Sequence, residues 1–160
     1  MSRRRLRDDS GFTLLEVMTT CLLLAIMLGL AVAPWRAYGD AKAHKDAARE
    51  LVAVLRNAQV RAVAELATYR VDVTPTTAKA YRITPGTGTA VLKQQSSLTN
   101  AKVAYSAASF QDSNGATSTS VYFYPKGSAS KGSVTVTRAG RAHVYTVSVE
   151  GLTARVSYTD

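Results

Sequence analysis

The sequence is short of the residues that build most chemical sites. It has one cysteine, Cys21, so no disulfide can form within the chain, and the fold must rest on its own core or on assembly with partners. Its two histidines, His44 and His143, lie far apart. His44 is expected on the surface, and His143 falls in a strand pattern with no second ligand beside it. After Thr68 the only carboxylates are Asp72, Asp112, Glu150 and Asp160, and none has the spacing of a paired acid and base. HExxH, phosphate-loop and Gly-x-Ser-x-Gly patterns are missing. The sequence therefore offers no catalytic residues, no metal ligands and no cofactor site, and it reads as a non-enzymatic protein.

Negative charge is scarce as well. Lys and Arg total 20 against 11 Asp and Glu, a net charge of +9. That excess favours anionic partners such as nucleic acid or lipid headgroups and says nothing about the fold. Charge is almost lacking over residues 12–33, where Glu16 is the only ionisable acid or base among apolar neighbours. A helix of that length rises roughly 33 Å, close to the ~30 Å hydrocarbon core of a bilayer. Arg3, Arg4, Arg5 and Arg7 precede it. By the positive-inside rule the N-terminus stays in the cytoplasm and the rest of the chain crosses.

Three readings fit such a segment. A cleaved secretory signal would use "AVA" at 31–33, but Pro34 follows, and the apolar run is long for that purpose. A plain anchor helix leaves Glu16 unexplained, since a carboxylate at the centre of a membrane helix costs about 2.5–3.5 kcal/mol on insertion scales. The third reading starts from "GFTLLEVM" at 11–18 behind its basic leader. This combination closely resembles the processing site of type IV prepilins and type II secretion pseudopilins. The resemblance implies cleavage after Gly11, N-methylation of Phe12 by the prepilin peptidase, and Glu16 as an assembly residue whose carboxylate meets the terminal amine of a neighbouring subunit. It also implies other pilins and an assembly platform as partners. Proline 34 is expected to kink or interrupt the helix, with Trp35 and Arg36 at the outer interface.

Beyond Gly39 the small apolar residues Ala48, Leu51, Leu55, Ala58, Ala62 and Leu66 recur every three or four positions, as on one face of an amphipathic helix. Asp40 would cap that helix if it restarts there. Lys42, Lys45, Arg49, Arg56 and Arg61 fall largely off the apolar face and read as solvated.

From Thr68 the periodicity changes to two. Strands are expected at 69–74, 79–84, 90–94, 101–106, 120–124, 133–138, 143–149 and 154–158, separated by Gly- and Pro-containing turns. One long helix, about 12–67, followed by antiparallel strands is an α+β arrangement with the helix laid on a sheet. Four segments follow: a leader at 1–11, a membrane-spanning helix at 12–34, an amphipathic helix at 35–67 and a β-rich domain at 68–160. Within the last, Phe123, Pro125, Gly127, Gly132, Gly151 and Arg155 resemble turn and strand positions of the GspH/FimT branch of minor pilins and pseudopilins.

Some members of that branch bind DNA, and Lys126, Lys131, Arg138, Arg141 and Arg155 are the candidate contacts here. The first four fall on loops or hairpin ends where one patch is conceivable. However, "GRAH" at 140–143 departs from the Gly-Arg-x-Arg tail expected of such proteins. The sequence thus points to a minor pilin or pseudopilin of the cytoplasmic membrane, its β domain outside. A DNA receptor for uptake and an unprocessed single-pass membrane protein remain as alternatives. Whether the machine is a pilus, a secretion system or a competence apparatus is left open.

Overall fold

The structure, a computed structural model, describes residues 12–111 and 114–159. The chain divides into two compact units, Met1–Gly39 and Asp40–Asp160. A single helix, α1 (Leu14–Ala64), supplies most of the first and opens the second. It continues through Pro34 as the one long helix expected, so the proline does not interrupt it and Asp40 lies within the helix instead of capping a restart. Proline removes one N–H from the helix ladder, and the alanine-rich flanks, of high helix propensity, carry the helix past it.

At its C-terminal end α1 stops two residues short of Leu66, the last position of the periodic pattern. Ala67 N–H donates to the Ala62 carbonyl at 3.2 Å and Leu66 N–H to the Val63 carbonyl at 3.4 Å. This is a Schellman cap with Leu66 in the left-handed position usually held by glycine (φ 49°). Leu66 is therefore flung outward, 74% exposed, whereas Ala48, Leu51, Leu55, Ala58 and Ala62 are buried as their spacing implied.

Among the described residues the second unit adds nine strands: β1 (Thr68–Val73), β2 (Thr77–Ile83), β3 (Ala90–Ser97), β4 (Val103–Gln111), β5 (Thr117–Ser118), β6 (Ser120–Phe123), β7 (Gly132–Arg138), β8 (Tyr145–Val149) and β9 (Val156–Thr159). They form two antiparallel sheets, ordered β3-β2-β1-β6 and β5-β4-β7-β8-β9. Only the two-residue β5 lacked a counterpart in the sequence pattern. The division into two sheets comes from non-local pairings, β1 with β6 and β4 with β7, which local periodicity does not encode.

Alternation sets the inner faces: Tyr69, Val71 and Val73 of β1, and Tyr145, Val147 and Val149 of β8, point inward while their neighbours do not. These join Phe110, Val121, Phe123, Val134, Val136 and the buried face of α1 in one core. Each fully buried Val, Leu or Phe contributes roughly 1.5–3 kcal/mol.

Beta 4 carries a bulge between Ser106 and Ser109, with Ala107 at φ 49°. Just beyond it Phe110 pairs with Gly132. A β-carbon at Gly132 would sit 2.6 Å from both Cα and Cδ1 of Phe110 and would press on the Ser109 carbonyl oxygen, so only glycine fits.

Candidate assembly site

In the first unit Thr13 caps α1. Its Oγ1 accepts from the Glu16 N–H at 3.2 Å, while its carbonyl accepts from Glu16 N–H at 3.0 Å and Val17 N–H at 3.2 Å. Thr13-Leu-Leu-Glu16 is thus the sequence of a capping box, which places Glu16 in the first turn, where the helix dipole favours a negative charge. Residues further along close their own polar groups onto the helix. Thr19 Oγ1 donates to the Glu16 carbonyl at 2.9 Å, and Thr20 Oγ1 to the Val17 carbonyl at 2.8 Å.

Leu14–Ala31 forms an 18-residue stretch of mean hydropathy 2.2, none of it buried, long and apolar enough to cross a membrane. Its large side chains are 49–80% exposed, and Leu22, Leu23 and Leu24 in succession show that the apolar surface runs all round the helix. A helix apolar on every side suits a wholly apolar environment, either lipid or a bundle of similar helices. Glu16 meets no cation within the chain among the described residues. Phe12 is 83% exposed and lies before the helix, so the four-residue step from Phe12 to Glu16 is not a helical turn within one chain. Gly11 and the leader lie outside the described residues.

The second unit separates the candidate DNA contacts. Lys131 adjoins the start of β7 and Arg138 ends it, roughly 20 Å apart along the strand. Arg155 belongs with Lys131, because Val156 pairs with Val149 and Val149 with Gly132. Arg141 belongs with Arg138, to whose carbonyl its N–H donates at 3.2 Å. Lys126 sits in the exposed turn after β6. The single patch conceived from loop positions is not formed, because β7 puts Lys131 and Arg138 at opposite ends of the sheet.

Histidine 44 also departs from expectation. It is 4% exposed, and its Nε2 lies 2.8 Å from the Val136 carbonyl. A carbonyl only accepts, so Nε2 carries the proton. The ring packs edge-on against Tyr145 at 4.7 Å, with His143 at 6.1 Å. The two histidines are neighbours, yet no group of three or more potential metal ligands exists among the described residues. Position 44 lies four residues before Ala48, on the same buried face, and that spacing was the available signal.

Asp40 cements the start of this unit. Lys102 Nζ donates to its Oδ2 at 2.7 Å and Asn100 Nδ2 to its Oδ1 at 3.1 Å. These two bonds, Lys102 first, hold the Asp40 carboxyl below its usual value of 3.8, with the Lys102 and Arg138 charges assisting. Burial, aided by the Glu50 charge, pushes the Tyr105 phenol up to about 12. Of the α1 cations expected to be solvated, Arg56 donates to the Val156 carbonyl at 3.1 Å and Arg61 to Asn57 Oδ1 at 3.1 Å.

Comparison with known proteins gives two family matches. The family described as Type II transport protein GspH matches residues 47–153. The Prokaryotic N-terminal methylation motif matches residues 6–32. Among solved structures, the minor pseudopilin EpsH of the Vibrio cholerae type II secretion system is similar at 12% identity and a TM-score of 0.57, over 73% of this chain and 93% of that one. The type IV minor pilin FimU of Pseudomonas aeruginosa is similar at 13% identity and a TM-score of 0.55, over 72% of this chain and 87% of that one. At these identities the likeness speaks to the fold. No significant match is found among curated protein sequences.

Proposed function

The chain belongs to the GspH family of type II transport proteins and carries the N-terminal methylation motif, and from that premise we propose that it is a minor subunit cut after Gly11 and built into a membrane-anchored pilus or pseudopilus. The coarse part of this, a structural component of a type IV pilus or pseudopilus, follows from the family. The finer part is our reading of the first unit. The observation that carries it is the exposed apolar helix Leu14–Ala31 with one carboxylate in its first turn.

Cleavage before Phe12 creates an amine of reference pKa about 7.7–8.0, largely cationic at neutral pH. With the amine free and Glu16 unpaired within its own chain, each subunit offers one charge of each sign in an apolar setting. Pairing across subunits offsets the desolvation of both, while a misregistered neighbour leaves both exposed to hydrocarbon. Glu16 therefore acts on register more than on cohesion. The prepilin peptidase supplies the cut and the methyl group, other pilins supply the partner charges, and an assembly platform in the inner membrane receives the product. The β unit faces away from the cytoplasm.

The test is the intact mass of the protein extracted from membranes. It should lack residues 1–11 and carry one added methyl. A mass that retains Met1 overturns the proposal in favour of an unprocessed single-pass protein. The DNA-receptor alternative gains nothing from the geometry, since the five candidate cations do not converge.

A further inference from the structure

One end of the five-stranded sheet gathers positive charge around the start of the second unit. Lys102 precedes β4 and Arg138 ends β7, and these positions are adjacent because Val103 pairs with Arg138. The Ala139 N–H donates to the Lys102 carbonyl at 2.8 Å, which folds the Arg138–Arg141 turn onto the same end. Lys42 and Lys45 are exposed on the first turns of α1 within this unit. The carboxylates among these residues are Asp40, already bound to Lys102 and Asn100, and Asp46. Arg141 is exposed, and Lys102 keeps 61% of its side chain exposed despite its ion pair. Asp40 follows Ala31, the last residue of the apolar stretch, by nine positions in the chain. Nine residues reach at most about 30 Å, so this end of the unit stays within a short tether of the bilayer surface.

We propose that the end of the β unit formed by Lys42, Lys45, Lys102 and Arg141 is a docking surface for anionic phospholipid headgroups, holding the unit against the bilayer before the subunit is assembled. The proposal rests on the apolar segment lying in a membrane, and the tether selects lipid over other polyanions, because a headgroup layer is the anionic surface the chain itself brings closest. Each cation near an anionic surface multiplies the docked-to-undocked ratio about five-fold. The attraction fades beyond a Debye length, about 8 Å at physiological ionic strength.

The experiment uses the full chain, with Cys21→Ser and a fluorophore on Ala142→Cys beside Arg141, reconstituted in vesicles containing a headgroup-spin-labelled lipid. Quenching should be strong in vesicles containing phosphatidylglycerol at low salt, and weak in pure phosphatidylcholine or at high salt. A label on Leu152→Cys, in the exposed loop at the far end of β8, should be quenched much less. Arg141→Glu swings two charge units and should lower the docked ratio by about thirty-fold, while Arg141→Lys should leave it unchanged. Equal quenching in neutral and anionic vesicles, or an Arg141→Glu protein that behaves as the parent, overturns the proposal. Flotation with vesicles after an alkaline wash reports anchoring separately. A protein that fails to float defeats the membrane reading, whereas one that floats unquenched defeats only the docking.

Discussion

Gly132→Ala is the substitution for which the structure gives the sharpest expectation. Gly132 has no positive φ, so backbone strain does not enter, and in open space the change would stabilise by about 0.4–1 kcal/mol through the unfolded chain. The surroundings reverse that sign. The new methyl would lie 2.6 Å from Cα and Cδ1 of Phe110, where carbon atoms ordinarily rest ~3.5–4.0 Å apart. Phe110 is fully buried, and the other obstacles are backbone, so no side-chain rotation clears the space. Beta 4 and β7 must part by about 1 Å, which strains one or two ladder bonds worth about 1 kcal/mol each. Added to overpacking of roughly 1–3 kcal/mol, the net loss is about 3 kcal/mol. For a unit of this size that is a fall in Tm of roughly 10 °C. Thermal unfolding of the detergent-solubilised full chain, followed by near-UV circular dichroism of the buried Tyr69 and Tyr105, reads the β unit independently of the apolar helix. Gly151→Ala is the control, because its nearest neighbours stand at 3.4 Å, ordinary contact. If Gly132→Ala melts with or above the parent while Gly151→Ala does the same, the steric argument is wrong.

Glu16→Ala should leave insertion in the membrane intact but sharply reduce recovery in sheared filaments, and normal incorporation would remove the register role. Leu66→Gly relieves a left-handed leucine whose side chain is mostly in solvent, so it should raise stability by about 0.5–1 kcal/mol, seen as a higher melting temperature. The Asp40 carboxyl, followed by NMR, should titrate below 3.8, and Lys102→Met should move its midpoint back up. Because the folded value is the depressed one, Asp40's stabilisation is present above pH 3.8 and disappears as pH falls through the folded midpoint. A midpoint at or above 3.8 in the parent would contradict the Lys102 and Asn100 contacts.

Much of this architecture was legible because its signals are local. Alternation of valine and tyrosine with serine and threonine located eight strands to within a few residues; β3 ran three residues past its expected end and β4 five, the latter because a bulge at Ala107 shifts the alternation midway. The three- and four-residue spacing found the buried face of α1, and failed only at Leu66, where a cap overrides periodicity. Polarity misled at His44. A histidine next to Lys45 looks solvated, but its position on the Ala48 face and a single bond to the Val136 carbonyl admit it to the core. What sequence does not carry is pairing between distant strands. Beta 7 joins β4 and β8, which brings Lys102 beside Arg138 at one end and Arg155 beside Lys131 at the other, neighbours that local periodicity does not reveal.

The helix Leu14–Ala31 presents leucine, methionine and isoleucine in every direction. Acyl tails and sister helices solvate such a surface almost equally well, and swapping one for the other releases little water. If the subunit is assembled as proposed, withdrawal from the bilayer and return to it would both be thermodynamically gentle, and a filament made this way would be reversible by composition. On the proposed pairing of Glu16 with a neighbour's terminal amine, discrimination between correct and incorrect neighbours would fall to a handful of polar atoms at one end of the helix, and errors there would show up as promiscuous mixing before they showed up as fragility.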